Sequence, residues 1–542
     1  MQLFLGTREA FGSQTSEDIR LGALELMNTL YYSHGKSLTV GVLETCVIAS
    51  KYCSRSCSTT TRQAGLKLLA ATVEGVGFQH REATQVQSTA LKCIEKIAKE
   101  KDLGGDYVKL GISDVLRAIS VVVPLESWVD GALSLESARN LCLSGLKDVS
   151  SYVRTAYSRA LGELVASMYQ GSLHVTDENT KGKALATDVI ESCLVAPLAE
   201  NLISEDRNTS IALCQAWVHF LSRVKGPDDG HLVHLAKGPL VSIRVAGITS
   251  AIERGPCGPD LGLGSSIATG ERPFSQACGI FIVRCGIIEN MGEHGQKELL
   301  RDLCQNLLHA SEDFPPSLII THLELMTNIM ETLGETGSEI ACSVEQVLEQ
   351  CFTNASASVR LHAGSTIVAL STAEPGKSAA LFKFSLGSLK DAADALVESS
   401  NMVSDKSRCT QGTPRWPGSN KFSREIDHLH GWSVACACLN AAIPDLPLGI
   451  PSSYVKICSQ IAAALIESPR SDHPGGIKAE LEAGYILLGS LCKYAEKSLQ
   501  SIYKSSLLKL WIPMFSEDSM KHLQEILDRN DVRIHALCKH LF

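Results

Sequence analysis

The stretch Ser150-Ser151-Tyr152-Val153-Arg154-Thr155-Ala156-Tyr157-Ser158-Arg159-Ala160-Leu161-Gly162-Glu163-Leu164-Val165-Ala166-Ser167-Met168 decides how the rest of the chain is read. Val153, Ala156, Tyr157, Ala160, Leu161, Leu164, Val165 and Met168 follow one another at the spacing of a helix face, so a helix gathers all eight into one apolar stripe. A stripe that wide is too broad for one partner helix to cover, and stacking on further helices is obligatory. A short polar turn, a β-branched residue and a basic residue, Val153-Arg154, open the segment.

The same opening recurs along the chain. It stands at Glu17-Asp18-Ile19-Arg20, Ser242-Ile243-Arg244, Ser358-Val359-Arg360 and Asp531-Val532-Arg533, with weaker copies at Thr61-Arg62 and Val108-Lys109. Arg20 to Arg62 is 42 residues, Arg62 to Lys109 is 47 and Lys109 to Arg154 is 45. That period is the one of two-helix HEAT or armadillo units. The fold class expected is therefore all-α, a HEAT/armadillo-type helical-repeat solenoid. The basic residue falls at the start of the second helix of each pair, where it can bond an acidic or carbonyl group of the adjacent turn. Arg154 and Arg360 are read as such structural contacts and not as ligand contacts. Few segments alternate with period two, and no hairpin dipeptide separates two apolar runs.

Composition agrees with this reading. Hydrophobic residues make up 44% and charged residues 20%, ordinary for a folded chain and unlike a disordered one. Aromatics are only 5%, so Leu, Ala, Ile, Val and Cys must fill the interior, which favours closely spaced helices over a β-sandwich. The net charge of −9 argues against direct nucleic-acid binding, which wants a basic excess or stripe. The densest basic stretch, Lys92 to Lys101, includes Glu95 and Glu100 and reads as a solvated helix face. The nineteen cysteines are scattered and odd in number, and no secretory signal opens the chain. They read as reduced, mostly buried thiols of a reducing compartment. No apolar run is long enough to span a bilayer, since the best one, Val115 to Val123, contains Arg117 and ends at Pro124.

Four segments break the repeat and are expected to be loops: Gln170 to Lys183, Arg254 to Ser275, Ser399 to Arg424 and Pro469 to Ile477. The organisation expected is thus repeats over 1–169, a polar loop over 170–183, repeats over 184–253, and a Gly/Pro-rich loop over 254–275. Repeats resume over 276–398, a flexible insertion covers 399–424, and repeats close the chain over 425–542.

Candidate chemistry is sparse. Gly262-Leu263-Gly264-Ser265-Ser266 lacks the Lys-Ser/Thr ending of a phosphate loop and a strand before it. Cys53/Cys57 and Cys436/Cys438 have the look of half a zinc site, but no second pair stands at the required spacing. Gln276-Ala277-Cys278-Gly279 lacks one residue of a caspase nucleophile motif, and Cys278 to Ile288 reads as a buried helix. His428 and His430 are taken to flank a helix start. No nucleophile, base and oxyanion donors converge. The chain is read as a non-enzyme with no catalytic, cofactor-binding or metal residues and no cofactor.

The second half carries more specific signals. Gly431-Trp432-Ser433-Val434-Ala435-Cys436-Ala437-Cys438-Leu439 precedes Pro447-Leu448-Gly449-Ile450-Pro451. Ala483-Gly484-Tyr485-Ile486-Leu487-Leu488-Gly489 follows, then Leu507-Leu508-Lys509-Leu510-Trp511 and Phe515. Upstream, Leu141-Cys142-Leu143 and Val153 to Gly162 fit an early repeat of the same kind. In this order the chain resembles the HEAT repeat-containing protein 5 family over roughly Leu141 to Phe515. Tyr485 stands where that family has Trp, and the insertion at Ser399 to Arg424 is longer. Family members are several times longer, so the resemblance implies an N-terminal part of such a protein. A helix is expected from Val532 and is still open at Phe542, so the last repeat reads as truncated.

The resemblance implies a scaffold for clathrin-adaptor-dependent trafficking: endosome to trans-Golgi retrieval, endocytosis and protein localisation. It implies protein partners, among them the clathrin adaptor complex and its accessory proteins. It also implies a cytosolic protein recruited peripherally, through those partners, to the trans-Golgi network and endosomal vesicles. A nuclear transport receptor or a phosphatase-type HEAT scaffold is the alternative. A microtubule-binding array would carry basic turns along one edge, against the charge found here.

Overall fold

The computed structural model of the chain describes residues 15–37, 41–55, 57–100, 105–173, 187–204, 206–224, 274–309, 316–407 and 417–498, with residues 11 and 235 besides. Among the described residues every regular element is a helix and none is a strand. The chain divides into two units, residues 1–250 with 277–292, and residues 251–276 with 293–542.

In the first unit the helices are α1 (Glu17–His34), α2 (Val42–Tyr52), α3 (Thr59–Val76), α4 (Ala83–Ala98), α5 (Asp106–Val122), the short α6 (Leu125–Val129), α7 (Leu135–Gly145), α8 (Ser151–Leu173), α9 (Ala196–Ile203) and α10 (Arg207–Arg223). α11 (Phe274–Phe281) continues through a π turn at Ile282–Ile287. α1, α3, α5, α8, α10 and that π turn pack each on the next as one layer. α2, α4, α7 and α9 each pack against the layer helix that follows them in the chain, completing the pairs. The stripe of α8 is closed on both sides, by α5 and α10, and Val153, Ala160, Leu161, Leu164, Val165 and Met168 are all fully buried. Trp217 and Phe220 of α10 add the bulk of that interior, with Phe220 edge-on to Tyr169 at 5.9 Å.

The second unit repeats the plan with α12 (Glu293–Leu308), α13 (Pro316–Leu333), α14 (Ser338–Phe352), α15 (Ala357–Ala373), α16 (Ser378–Ser407), α17 (Pro417–Ala442), α18 (Ser452–Glu467) and α19 (Pro474–Ser498). α13, α15, α17 and α19 form one layer, and α12, α14, α16 and α18 pack alongside.

The recurrent basic residue takes one position throughout, the fourth residue of the layer helices α1, α3, α5, α8 and α15. In four of them its amide donates to the carbonyl of the N-cap residue, Ser16, Ser58, Ser150 or Ser356, closing the first helical turn. Arg244 and Arg533 lie outside the described residues.

The expected loops are shorter than the sequence suggests. Within 399–424, α16 runs on to Ser407 and α17 starts at Pro417, so only 408–416 lies outside the described residues. Ser399 and Ser400 do not end α16; their hydroxyls donate to carbonyls three or four residues back, which accommodates them inside the helix. Pro417 does not mark a loop either. A proline at the first helical position gives up an N–H that has no helical partner anyway. Pro474 opens α19 in the same way, which moves residues 474–477 of the expected loop at 469–477 into a helix. α8 reaches Leu173, and the remainder of 170–183 is outside the described residues, as is 254–273. His428 and His430 do not flank a helix start but lie well inside α17.

Candidate functional site: a polar groove across three helices

Most charged groups near the turns are spent on holding neighbouring pairs together. Glu17 of α1 accepts from the hydroxyls of Ser58 and Thr61 at the start of α3. Arg62 donates back to the carbonyl of Cys53 at 3.2 Å and across to Glu100 at 2.8 Å. Lys109 reaches Asp148 at 2.7 Å. Arg154 bonds the carbonyls of Asp148 (2.8 Å) and Val149 (2.7 Å) and the side chain of Asn208 at 3.3 Å. In the second unit Arg360 bonds the carbonyls of Asn354 (2.6 Å) and Ala355 (3.0 Å), Asp427 at 2.9 Å and His430 at 3.0 Å. Each basic side chain that returns to its own turn ties down carbonyls that a helix end leaves without partners, while the outward bond fixes the next pair. This assigns His430 a structural place beside Arg360. Arg62 and Arg360 are only 4% and 3% exposed, so neither is available to a ligand.

The thiols singled out in the sequence are dispersed. Fifteen cysteines have described side chains, and all fifteen are free. Cys436 is fully buried in α17, where dehydration drives its thiol well up, and Cys438 packs against Gly364. Cys53 is hydrogen-bonded to Cys93 and not to Cys57, and that bond, with burial, holds the Cys53 thiol well above its ordinary value. Cys278 is buried and bonded to the thiol of Cys214. Among the described residues no three metal-ligating side chains converge, and no helix is long and apolar enough to cross a membrane.

Among the described residues a groove of about 530 Å³ opens across α5, α8 and α10, lined by Ser113, Asp114, Arg117, Ser151, Tyr152, Thr155, Ala156, Arg159 and His219. Three layer helices contribute because their outward faces carry polar residues while the stripes beneath are buried. Arg117 also reaches Glu74 of α3 at 3.3 Å. Partial dehydration raises the Asp114 carboxyl above its usual range, against the pull of Arg117, Lys67 and Arg159. Burial, with the guanidiniums of Arg159 and Arg223 nearby, lowers the His219 imidazole and favours its neutral form. Tyr152 stands 79% exposed at the rim. No nucleophile is paired with a base in this groove. It offers charge, hydroxyls and an aromatic edge, which suits binding.

Sequence reasoning missed these residues. They are spread over three amphipathic helices, three on α5, five on α8 and one on α10, and a local cue is limited to Asp114 and Arg117 one helical turn apart.

With paired helices, one recurrent junction and layer-on-layer packing established, the architecture is decided. The chain is a HEAT-type helical-repeat solenoid. No family model matches it. It is similar to Protein SWEETIE of Arabidopsis thaliana, 24% identical over 502 residues, which cover 91% of this chain and 20% of that protein. The chain therefore spans about a fifth of the length of this curated relative. Solved structures similar to it include yeast importin-beta, 14% identical with a TM-score of 0.33 over 94% of this chain and 58% of that one. Another is importin beta crystallised in ammonium sulfate, 11% identical with a TM-score of 0.34 over 94% and 60%. At such scores the likeness carries nothing about function.

Proposed function

We propose that this solenoid is a non-enzymatic scaffold for clathrin-adaptor-dependent vesicle trafficking, acting in endosome to trans-Golgi retrieval and endocytosis. The observation that carries the scaffold part is the division of labour among its polar groups. Ladder residues are consumed between repeats, and the open groove on α5, α8 and α10 has the size and polarity to hold a segment of another protein. The trafficking part is supported by the order of motifs from Gly431 to Gly489 and by the 24% likeness to Protein SWEETIE over most of the chain. In this reading the chain works in the cytosol and reaches trans-Golgi and endosomal membranes through its partners. Direct adhesion to anionic lipid would call for a polybasic patch, and the net charge of −9 points away from one.

The test is to express the tagged chain and record both its location and its co-purifying proteins. Puncta at the trans-Golgi network or endosomes with adaptor or clathrin subunits recovered are expected. A nuclear signal with recovery of transport cargo instead would replace this reading with that of a transport receptor.

A further inference from the structure

We infer that the groove on α5, α8 and α10 recognises an acidic, extended protein segment, one carboxylate of which sits between Arg117 and Arg159. The inference rests on the scaffold reading and names the chemistry of a partner.

The charges decide the sign. Two guanidiniums line the groove against a single carboxylate, Asp114. Lys67 of α3 adds a third cation to the surroundings of that carboxylate and Glu74 a second anion, so cations still outnumber carboxylates three to two. Arg159 is exposed and forms no ion pair among the described residues, and the bond from Arg117 to Glu74 is long at 3.3 Å. A carboxylate arriving between them gains charge-assisted hydrogen bonds from donors that are incompletely used. A lysine or arginine arriving there would meet the repulsion of three cations and find Glu74 already engaged by Arg117.

The scale excludes other anionic polymers. A nucleic acid is held by many phosphate contacts, and a lipid surface by clusters of four to eight basic residues. Two or three cations on a molecule of net charge −9 suit one or two carboxylates on a short segment. Tyr152 at the rim gives the residue beside that carboxylate an apolar face to lie against.

The experiment measures fluorescence anisotropy of labelled twelve-residue peptides on the full chain. One peptide alternates Asp/Glu with Phe, a twin carries Asn/Gln in place of the acids, and a third carries Lys. The acidic peptide should bind, more weakly as salt rises, and the amide and Lys twins should lose about tenfold or more. Arg159→Ala should weaken the acidic peptide by a similar factor with unchanged thermal unfolding. Asp114→Asn should tighten it, because the one carboxylate lining the groove is gone. Equal binding of all three peptides, no binding of the acidic one, or indifference to Arg159→Ala overturns the inference. So does weakening by Asp114→Asn with preference for the Lys peptide. The trafficking reading fails separately. Acidic peptides bound without adaptor recovery from cells would leave the groove standing and remove the pathway. Adaptors recovered equally by Arg159→Ala would do the reverse.

Discussion

Replacing Arg360 with alanine tests whether the basic ladder holds the solenoid together. Arg360 is 3% exposed and makes four bonds: to the carbonyls of Asn354 and Ala355, to Asp427 and to His430. Truncation removes the Arg360 donors from two turn carbonyls and a positive charge from beside the half-buried Asp427 carboxylate. Hydrogen bonds to a charged group contribute about 1.5–3 kcal/mol each, and removing one partner of a buried ion pair costs about 3–5 kcal/mol. Water entering the trimmed volume recovers part of that, so the expected loss is about 3–4 kcal/mol. Arg154 supplies the internal control. It bonds the equivalent pair of carbonyls, Asp148 and Val149, but it is more exposed and its outward partner is the neutral Asn208 at 3.3 Å. Arg154→Ala should therefore cost only about 1–2 kcal/mol.

The two arginines belong to different units, so global melting would blur them. Urea unfolding followed by amide hydrogen exchange, read peptide by peptide, separates the helices around each site. Exchange protection should fall most in α14, α15 and α17 for Arg360→Ala. Arg360→Lys should recover little, since one ammonium cannot reproduce the guanidinium's fork of donors. A cost below about 1 kcal/mol for Arg360→Ala, or equal costs for both arginines, would show that the ladder is ornamental and that apolar packing alone sets the stack.

Gly431→Ala should be severely destabilising, because a Cβ there would stand 1.8 Å from the Phe352 carbonyl oxygen; loss of soluble protein or a large drop in Tm checks it. Asp148→Asn should cost stability at neutral pH and nothing in strong acid. Burial pulls that carboxyl up, but the bonds from Lys109 and the Ser150 amide outweigh it and hold it below its usual range. Stability from a depressed carboxyl is fully present above its unfolded value of about 3.9 and is lost as pH falls through the folded value. Unfolding curves of the two proteins should therefore converge in strong acid, and a gap that persists once the carboxyl is protonated in both states would contradict the assignment. Native alkylation, mapped by mass spectrometry, should label exposed Cys342 quickly. Burial pushes Cys46, Cys304, Cys351 and Cys458 up to about 12, so their thiolate fraction at pH 8 is roughly a thousandfold below that of an ordinary thiol. Labelling of any of these four at the rate of Cys342 would mean that the helix faces are misassigned.

The repeat was legible because its signal is local. A polar cap, a β-branched residue, a basic residue at the fourth helical position and a stripe at helical spacing all fall within twenty residues, as at Ser150 to Met168. The other end of each ladder bond was not legible. Glu100, Asn208 and Asp427 lie 38, 54 and 67 residues from their partners, and nothing near them announces the pairing. The period also fades where the fourth position is not basic, as in α10 with Ser210, α13 with Ile319 and α19 with Ile477. Prolines misled in one consistent way. Read as loop markers, Pro417 and Pro474 are helix starters, and the sequence alone does not distinguish a proline that ends one element from one that begins the next.

The motifs that made the family resemblance specific have a physical meaning, and it is packing. Gly431 lets α17 touch the backbone of α14, and Trp432 beside it lies against Phe352 at 5.2 Å and Phe384 at 5.6 Å. Gly364 lets α15 close on Cys438 of α17, and Gly484 brings α19 within reach of Ala462 and Ile466 of α18. At Gly431 an added Cβ would meet backbone, and at Gly364 and Gly484 a neighbouring side chain would have to move, so these positions are constrained by packing in a way the outward faces are not. A likeness carried by these positions therefore speaks for how the helices stack, and partner choice must be sought on the exposed faces. That is why Asp114 and Arg117, which belong to none of the motifs, and Arg159, which lies on the exposed side of one of them, are the residues on which a test of binding turns. An Arg159→Ala protein that folds, melts normally and still loses an acidic segment would separate the two kinds of information within one chain.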